Sequence, residues 1–145
     1  MVLLLYGYEV MCFGHIIMDF FSESLLEYQW KNRLVVINCG QNELEYQKQI
    51  ELFASVNQQV KERDIKLILI KNQIARMPDD SKIIAGELLD YLDIDANGFQ
   101  VVLVGKDGGT KFTSSGLTSP NTIFALIDGM PMRRQEMKRK QRKKY

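Results

Sequence analysis

Of the two cysteines in this sequence, Cys12 and Cys39, only Cys39 occupies a position suited to nucleophilic chemistry. It follows the apolar run Leu34-Val35-Val36-Ile37-Asn38 and precedes Gly40, between a strand and a helix that starts near Asn42. A thiol near a helix N-terminus has its thiolate stabilised and its pKa lowered. Such a group, with Arg33 or Lys106 as a cation stabilising thiolate or substrate, would reduce peroxides or disulfides. Three absences weigh against it. No second cysteine completes a CxxC, Val36 stands three positions earlier where a TxxC pattern has threonine, and the strand entrance at Phe99-Gln100 lacks a proline. A small cysteine ending a buried strand is commonly a packing residue, and that is the reading adopted for Cys39.

Two other constellations carry less. Asp93-Ile94-Asp95-Ala96-Asn97-Gly98 opens like a calcium loop, but position twelve needs a bidentate Glu and holds Val104. It reads as a polar helix-to-strand turn. Lys106-Asp107-Gly108-Gly109 has the makings of a backbone anion site, and more simply of a hairpin turn, since Asp-Gly supplies positive φ. His15 is the single histidine, which removes most acid–base schemes and His/Cys zinc sites. No metal and no cofactor is expected.

The elements that would position these residues follow from periodicity. Leu34–Cys39 and Ile65–Ile70 are β-branched apolar runs that read as buried strands. Between them Asn42 and Glu45 resemble a capping box, opening a helix with Tyr46, Ile50, Phe53 and Val60 near one face. The resulting βαβ unit makes the two strands parallel. Asn72–Asp80 reads as a loop, and Asp80 or Ser81 caps a second helix that turns Ile84, Leu88 and Leu92 inward. Phe99–Val104 and Thr110–Thr113 form a hairpin. Ser119 caps a helix with Pro120 at its first position, which Gly129 and Pro131 interrupt. The order β-α-β-(α)-β-β-α is that of the thioredoxin core: a three-layer α/β sandwich with a four-stranded mixed sheet and helices on both faces.

Composition places few other limits. A chain of 145 residues, 46% hydrophobic and 26% charged, has the makings of one soluble globular domain. The net charge of +1 conceals a division. Residues 133–145 hold eight of the 19 basic and one of the 18 acidic residues, leaving 11 basic and 17 acidic for the rest. Such a basic block is usually solvated; Arg133, Arg134, Lys138, Arg139 and Lys140 would also suit a protein partner or an anionic surface. Residues 1–24 are largely apolar but carry Glu9, His15, Asp19 and Glu23 and no Lys or Arg. They fit neither a membrane helix nor a signal peptide, and read as an apolar element packed on the domain. The chain reads as cytoplasmic as written, or exported if these residues are a degenerate or misassigned signal.

Trp30-Lys31-Asn32-Arg33, Gly105-Lys106-Asp107-Gly108-Gly109 and Ile127-Asp128-Gly129-Met130-Pro131-Met132-Arg133 together resemble the signature of the family called domain of unknown function 4174, over roughly residues 25–138. The resemblance implies kinship with domains of equarin and of sushi-repeat-containing matrix proteins, a thioredoxin-like, peroxiredoxin-related fold, and no established activity. The organisation expected is an N-terminal segment at 1–24, a domain at 25–137 and a basic tail at 138–145. The leading functional reading is a binding or accessory module without dithiol chemistry. The alternatives are a one-cysteine peroxidase or thiol reductase using Cys39, and an electrostatic binder working through the tail.

Overall fold

The protein is described by a computed structural model covering residues 25–145; the expectations for residues 1–24, Cys12 and His15 included, lie outside it. Strand β1 (Arg33–Asn38) is buried along its whole length. It pairs in parallel with β2 (Ile65–Lys71) and antiparallel with β5 (Gln100–Val104). Because side chains alternate across a strand, β1 serves two cores. Leu34 and Val36 join Ile68, Ile70, Val102 and Val104 beneath Leu88, Leu89 and Leu92. Val35 and Ile37 join Val101 and Leu103 beneath Tyr46, Phe53, Ile123 and Ile127. Helices therefore cover both faces.

The sheet has six strands, not the four expected, in the order β4-β3-β2-β1-β5-β6. The two additions are β3 (Ile74–Arg76) and β4 (Lys82–Ile84), where the sequence reads as a loop and the start of a helix. Asn72 and Gln73 take φ of 51° and 62°, and two consecutive left-handed residues make a tight turn matched to strand twist. That turn folds the chain back onto β2 and returns Arg76 opposite Leu69. The second helix is accordingly short, α3 (Gly86–Tyr91). Ile84, expected to face inward, is 76% exposed on β4.

The first helical region is broken into α1 (Glu43–Ala54) and α2 (Asn57–Glu62), and Tyr46, Phe53 and Val60 are buried as their spacing suggests. Asn42 holds the N-cap position but makes no side-chain cap bond. The β5–β6 turn closes with Gly108 at φ 87°, leading into β6 (Thr110–Ser114). Helix α4 (Pro120–Asp128) starts with Pro120 and ends at Gly129. A further helix, α5 (Pro131–Arg142), begun by Pro131, runs from the end of the expected domain into the residues 138–145 expected as a basic tail.

Candidate functional site

Strand β1 separates the residues singled out from the sequence. Arg33 is its first residue and Cys39 follows its last. Six residues of strand at about 3.3 Å each put them roughly 20 Å apart. Neither Arg33 nor its neighbour Lys106 is placed to stabilise a Cys39 thiolate. Cys39 is 3% exposed and, among the described residues, in no disulfide. Burial pushes its thiol above the ordinary value; Lys71 pulls it down and Glu43 pushes it up again. This is the reverse of thiol activation.

At the start of β1 the cations meet carboxylates instead. The Arg33 side chain, 1% exposed, donates through Nη1 to the Arg63 carbonyl at 2.8 Å. It also grips both carboxylate oxygens of Glu136 at 3.3 Å. Lys106 Nζ donates to Asp64 at 3.0 Å and to the same Glu136. Arg63 forks onto Asp128 at 3.0 and 2.9 Å, with its guanidinium 4.4 Å from the Phe124 ring centre. Arg133 donates to the Glu62 carbonyl at 3.0 Å and to Asp128 at 3.4 Å. Four cations and three carboxylates thus tie α5 to the α2–β2 loop, the β5–β6 turn and β1. Burial opposes ionisation of Glu136, but hydrogen bonds from Lys106 and Arg33 outweigh it and hold its carboxyl below the usual range. Arg63 does the same for Asp128.

The three signature segments converge on this centre. Trp30 donates its backbone N–H to the Lys106 carbonyl at 2.6 Å. Arg33, Gly105, Lys106 and Met130 to Met132 line a cavity of about 160 Å³ beside it. Arg133, expected among the cations free for a partner, is buried in the centre and committed to its carboxylates. Sequence reasoning missed Asp64 and Glu136. Glu136 has only its place three residues after the signature Arg133 as a signal and Asp64 has none, and their partners Lys106 (for Asp64) and Arg33 (for Glu136) lie 42 and 103 residues away.

The opposite end of the sheet carries a larger feature. A groove of about 650 Å³ runs between α1 and the extension made by β2, β3 and β4. Tyr46, Gln47, Ile50, Leu69, Lys71, Asn72, Ile74, Arg76 and Lys82 line it. Cys39 lies close enough to couple electrostatically with Tyr46 and Lys71. The groove was illegible in the sequence because it exists only once β3 and β4 join the sheet.

The calcium-like turn is used internally. Asn38, buried at the end of β1, donates Nδ2 to the carbonyls of Asp95 at 3.1 Å and Gly98 at 2.8 Å. Asp95 Oδ1 accepts from Asn97 N–H. Among the described residues no group of three or more His, Cys, Asp or Glu gathers as metal ligands would, and no helix is long and apolar enough to cross a membrane.

Sheet, helices and sites define a mixed α/β protein with a six-stranded sheet, a buried ion-pair centre at one end and an open groove at the other. The chain belongs to the family described as domain of unknown function 4174, whose model matches residues 24–136. It is similar to coiled-coil domain-containing protein 80 of Danio rerio, 28% identical over 133 residues, a match covering 78% of this chain. The same match spans 15% of that relative's length. No solved structure matches.

Proposed function

We propose that the protein is a thioredoxin-like binding or accessory module without thiol chemistry. The observation that carries this reading is the Cys39 thiol, buried, raised by that burial, and about 20 Å along β1 from Arg33. The fold assignment is supported by the inner strands. β2-β1-β5-β6 contain one parallel pair flanked by an antiparallel hairpin, with β3 and β4 added at one edge. The test is peroxide consumption and thiol titration of wild type against Cys39→Ser. Wild type and variant should consume peroxide no faster than buffer, and the thiol should titrate above its usual value of about 8.5. Turnover lost in Cys39→Ser would make the protein a one-cysteine peroxidase.

A second reading is favoured by α5. Arg134, Lys138, Arg139 and Lys140 are exposed on it and suit an anionic surface. Binding through them would weaken steeply with salt, since exposed charges are screened beyond about 10 Å at 0.1 M.

A further inference from the structure

We propose that the groove between α1 and β2–β4 binds a small organic phosphate monoester, its phosphate on Lys71, Arg76 and Lys82 and its apolar body on Ile50, Leu69 and Ile74. This rests on the binding-module reading above and names a ligand class for it.

The register sets the charges. Arg76 lies directly opposite Lys82 across β3 and β4, where Cβ atoms are about 5 Å apart. Lys71 pairs with Ile74, one diagonal from Arg76, a spacing of about 7–8 Å. Like charges directly opposite each other destabilise a sheet, and here a third cation is added. Among the described residues Lys71 has one carboxylate partner, Glu43, while Arg76 and Lys82 have none. No carboxylate lines the groove. Lys71, Arg76 and Lys82 all line the groove, and of these Lys71 and Arg76 lower the Tyr46 phenol pKa that burial and Cys39 raise.

Chemistry narrows the occupant. Three cations with Glu43 paired to Lys71 leave two positive charges uncompensated, and a phosphate monoester carries about −1.5 to −2 near pH 7 where a carboxylate carries one. The floor is apolar, so a bare anion would leave Ile50, Leu69 and Ile74 uncovered. The volume of about 650 Å³ falls within the roughly 300–1,000 Å³ of small-molecule sites. A strand-forming acidic peptide would need a longer edge than the three residues of β4.

Calorimetry with monomeric decyl phosphate, inorganic phosphate, neutral decyl maltoside and a hexaglutamate peptide tests the assignment. Wild type should bind decyl phosphate one to one, with inorganic phosphate about tenfold or more weaker and decyl maltoside weaker still. Arg76→Gln with Lys82→Gln, both exposed on short strands, should weaken decyl phosphate about tenfold or more without changing the melting temperature by more than a few degrees. Ile74→Ser should weaken decyl phosphate and leave inorganic phosphate unchanged. The assignment is overturned if the double variant binds as wild type does, or if neutralising Lys138, Arg139 and Lys140 abolishes binding instead. Tighter binding of hexaglutamate, or no binding of any probe, also overturns it. None of these outcomes touches the buried-thiol reading, which stands or falls on peroxide turnover.

Discussion

Glu136 is the residue on which the ion-pair centre turns. It is the one carboxylate shared by Arg33 and Lys106, both nearly sealed from solvent. A buried charge that loses its partner is expensive, and removing one member of such a set costs about 3–5 kcal/mol. Glu136→Gln is therefore expected to lower unfolding stability by that order at pH 7, measured by urea denaturation. The pH dependence has a definite sign. The folded pKa of Glu136 is depressed, so its stabilisation is present above the unfolded value of about 4.3 and fades as pH falls through the folded one. Wild type should accordingly lose stability on acidification, and the Gln variant should lose less. A variant within about 0.5 kcal/mol of wild type would mean that the centre behaves as a solvated surface pair. Gly40 makes a second, independent case. Its φ is 56°, and a Cβ there would lie 2.5 Å from the Gly98 carbonyl carbon and 2.7 Å from the Asn97 oxygen. That backbone cannot yield, because Asn38 holds it. Gly40→Ala should cost about 1–3 kcal/mol, whereas Gly98→Ala, whose Cβ would meet Asp95 at 3.7 Å, should cost under about 1 kcal/mol. Thermal melts of the pair separate close approach from a general dislike of alanine.

Among the elements, those with a long local signal were legible. β1, β2 and β5 are apolar β-branched runs, and α4 has Pro120 at its start and Gly129 at its end. β3 and β4 were not, because Ile-Ala-Arg and Lys-Ile-Ile are too short to show a period. What forms them is the turn at Asn72-Gln73 together with pairing to an existing β2. The face of Lys71, Arg76 and Lys82 was therefore invisible, although each residue was plain to read. Gln73 reports on that turn. A left-handed residue with a side chain costs about 1–2 kcal/mol, and glycine loses roughly 0.5–1 kcal/mol in unfolded-chain entropy. Gln73→Gly should then raise stability by a few tenths to about 1 kcal/mol, seen as a melting temperature higher by a few degrees. A lower one would place the turn elsewhere. α5 was missed for a different reason. Its sequence reads as consecutive cations that repel, and its anchors, Arg133 and Glu136, take the partners that hold the helix to the body, the Glu62 carbonyl and Arg33, from distant parts of the chain.

At the scale of the whole molecule, β1 acts as an axis joining two unlike ends. One end is sealed, with signature residues from three distant segments consumed in mutual charge neutralisation. The other is open, with cations left facing an apolar floor. The family signature was thus legible as a pattern while its physical role was not: Arg33 and Lys106 read as groups to serve a thiol, and they close helix α5 onto the sheet instead. This arrangement ranks three truncations. Ending the chain after Met137 removes the cations from Lys138 onward, the last turn of α5 and one weak side-chain bond, Lys140 Nζ to the Glu62 carbonyl at 3.4 Å, and keeps Arg133 and Glu136. The melting temperature should hold within a few degrees. Ending it after Gly129 removes both and strands Arg33 and Lys106 without Glu136, so the loss should match or exceed that of Glu136→Gln. Ending it before Ile123 strips Ile123, Phe124 and Ile127 from the core, and burial of each such side chain contributes about 1.5–3 kcal/mol. Against a total stability of about 5–15 kcal/mol, that chain should not fold. Circular dichroism melts of the three chains read the series directly. Equal melting of the chains ending at Gly129 and Met137 would show that α5 rides on the surface and that the charge centre does not hold it.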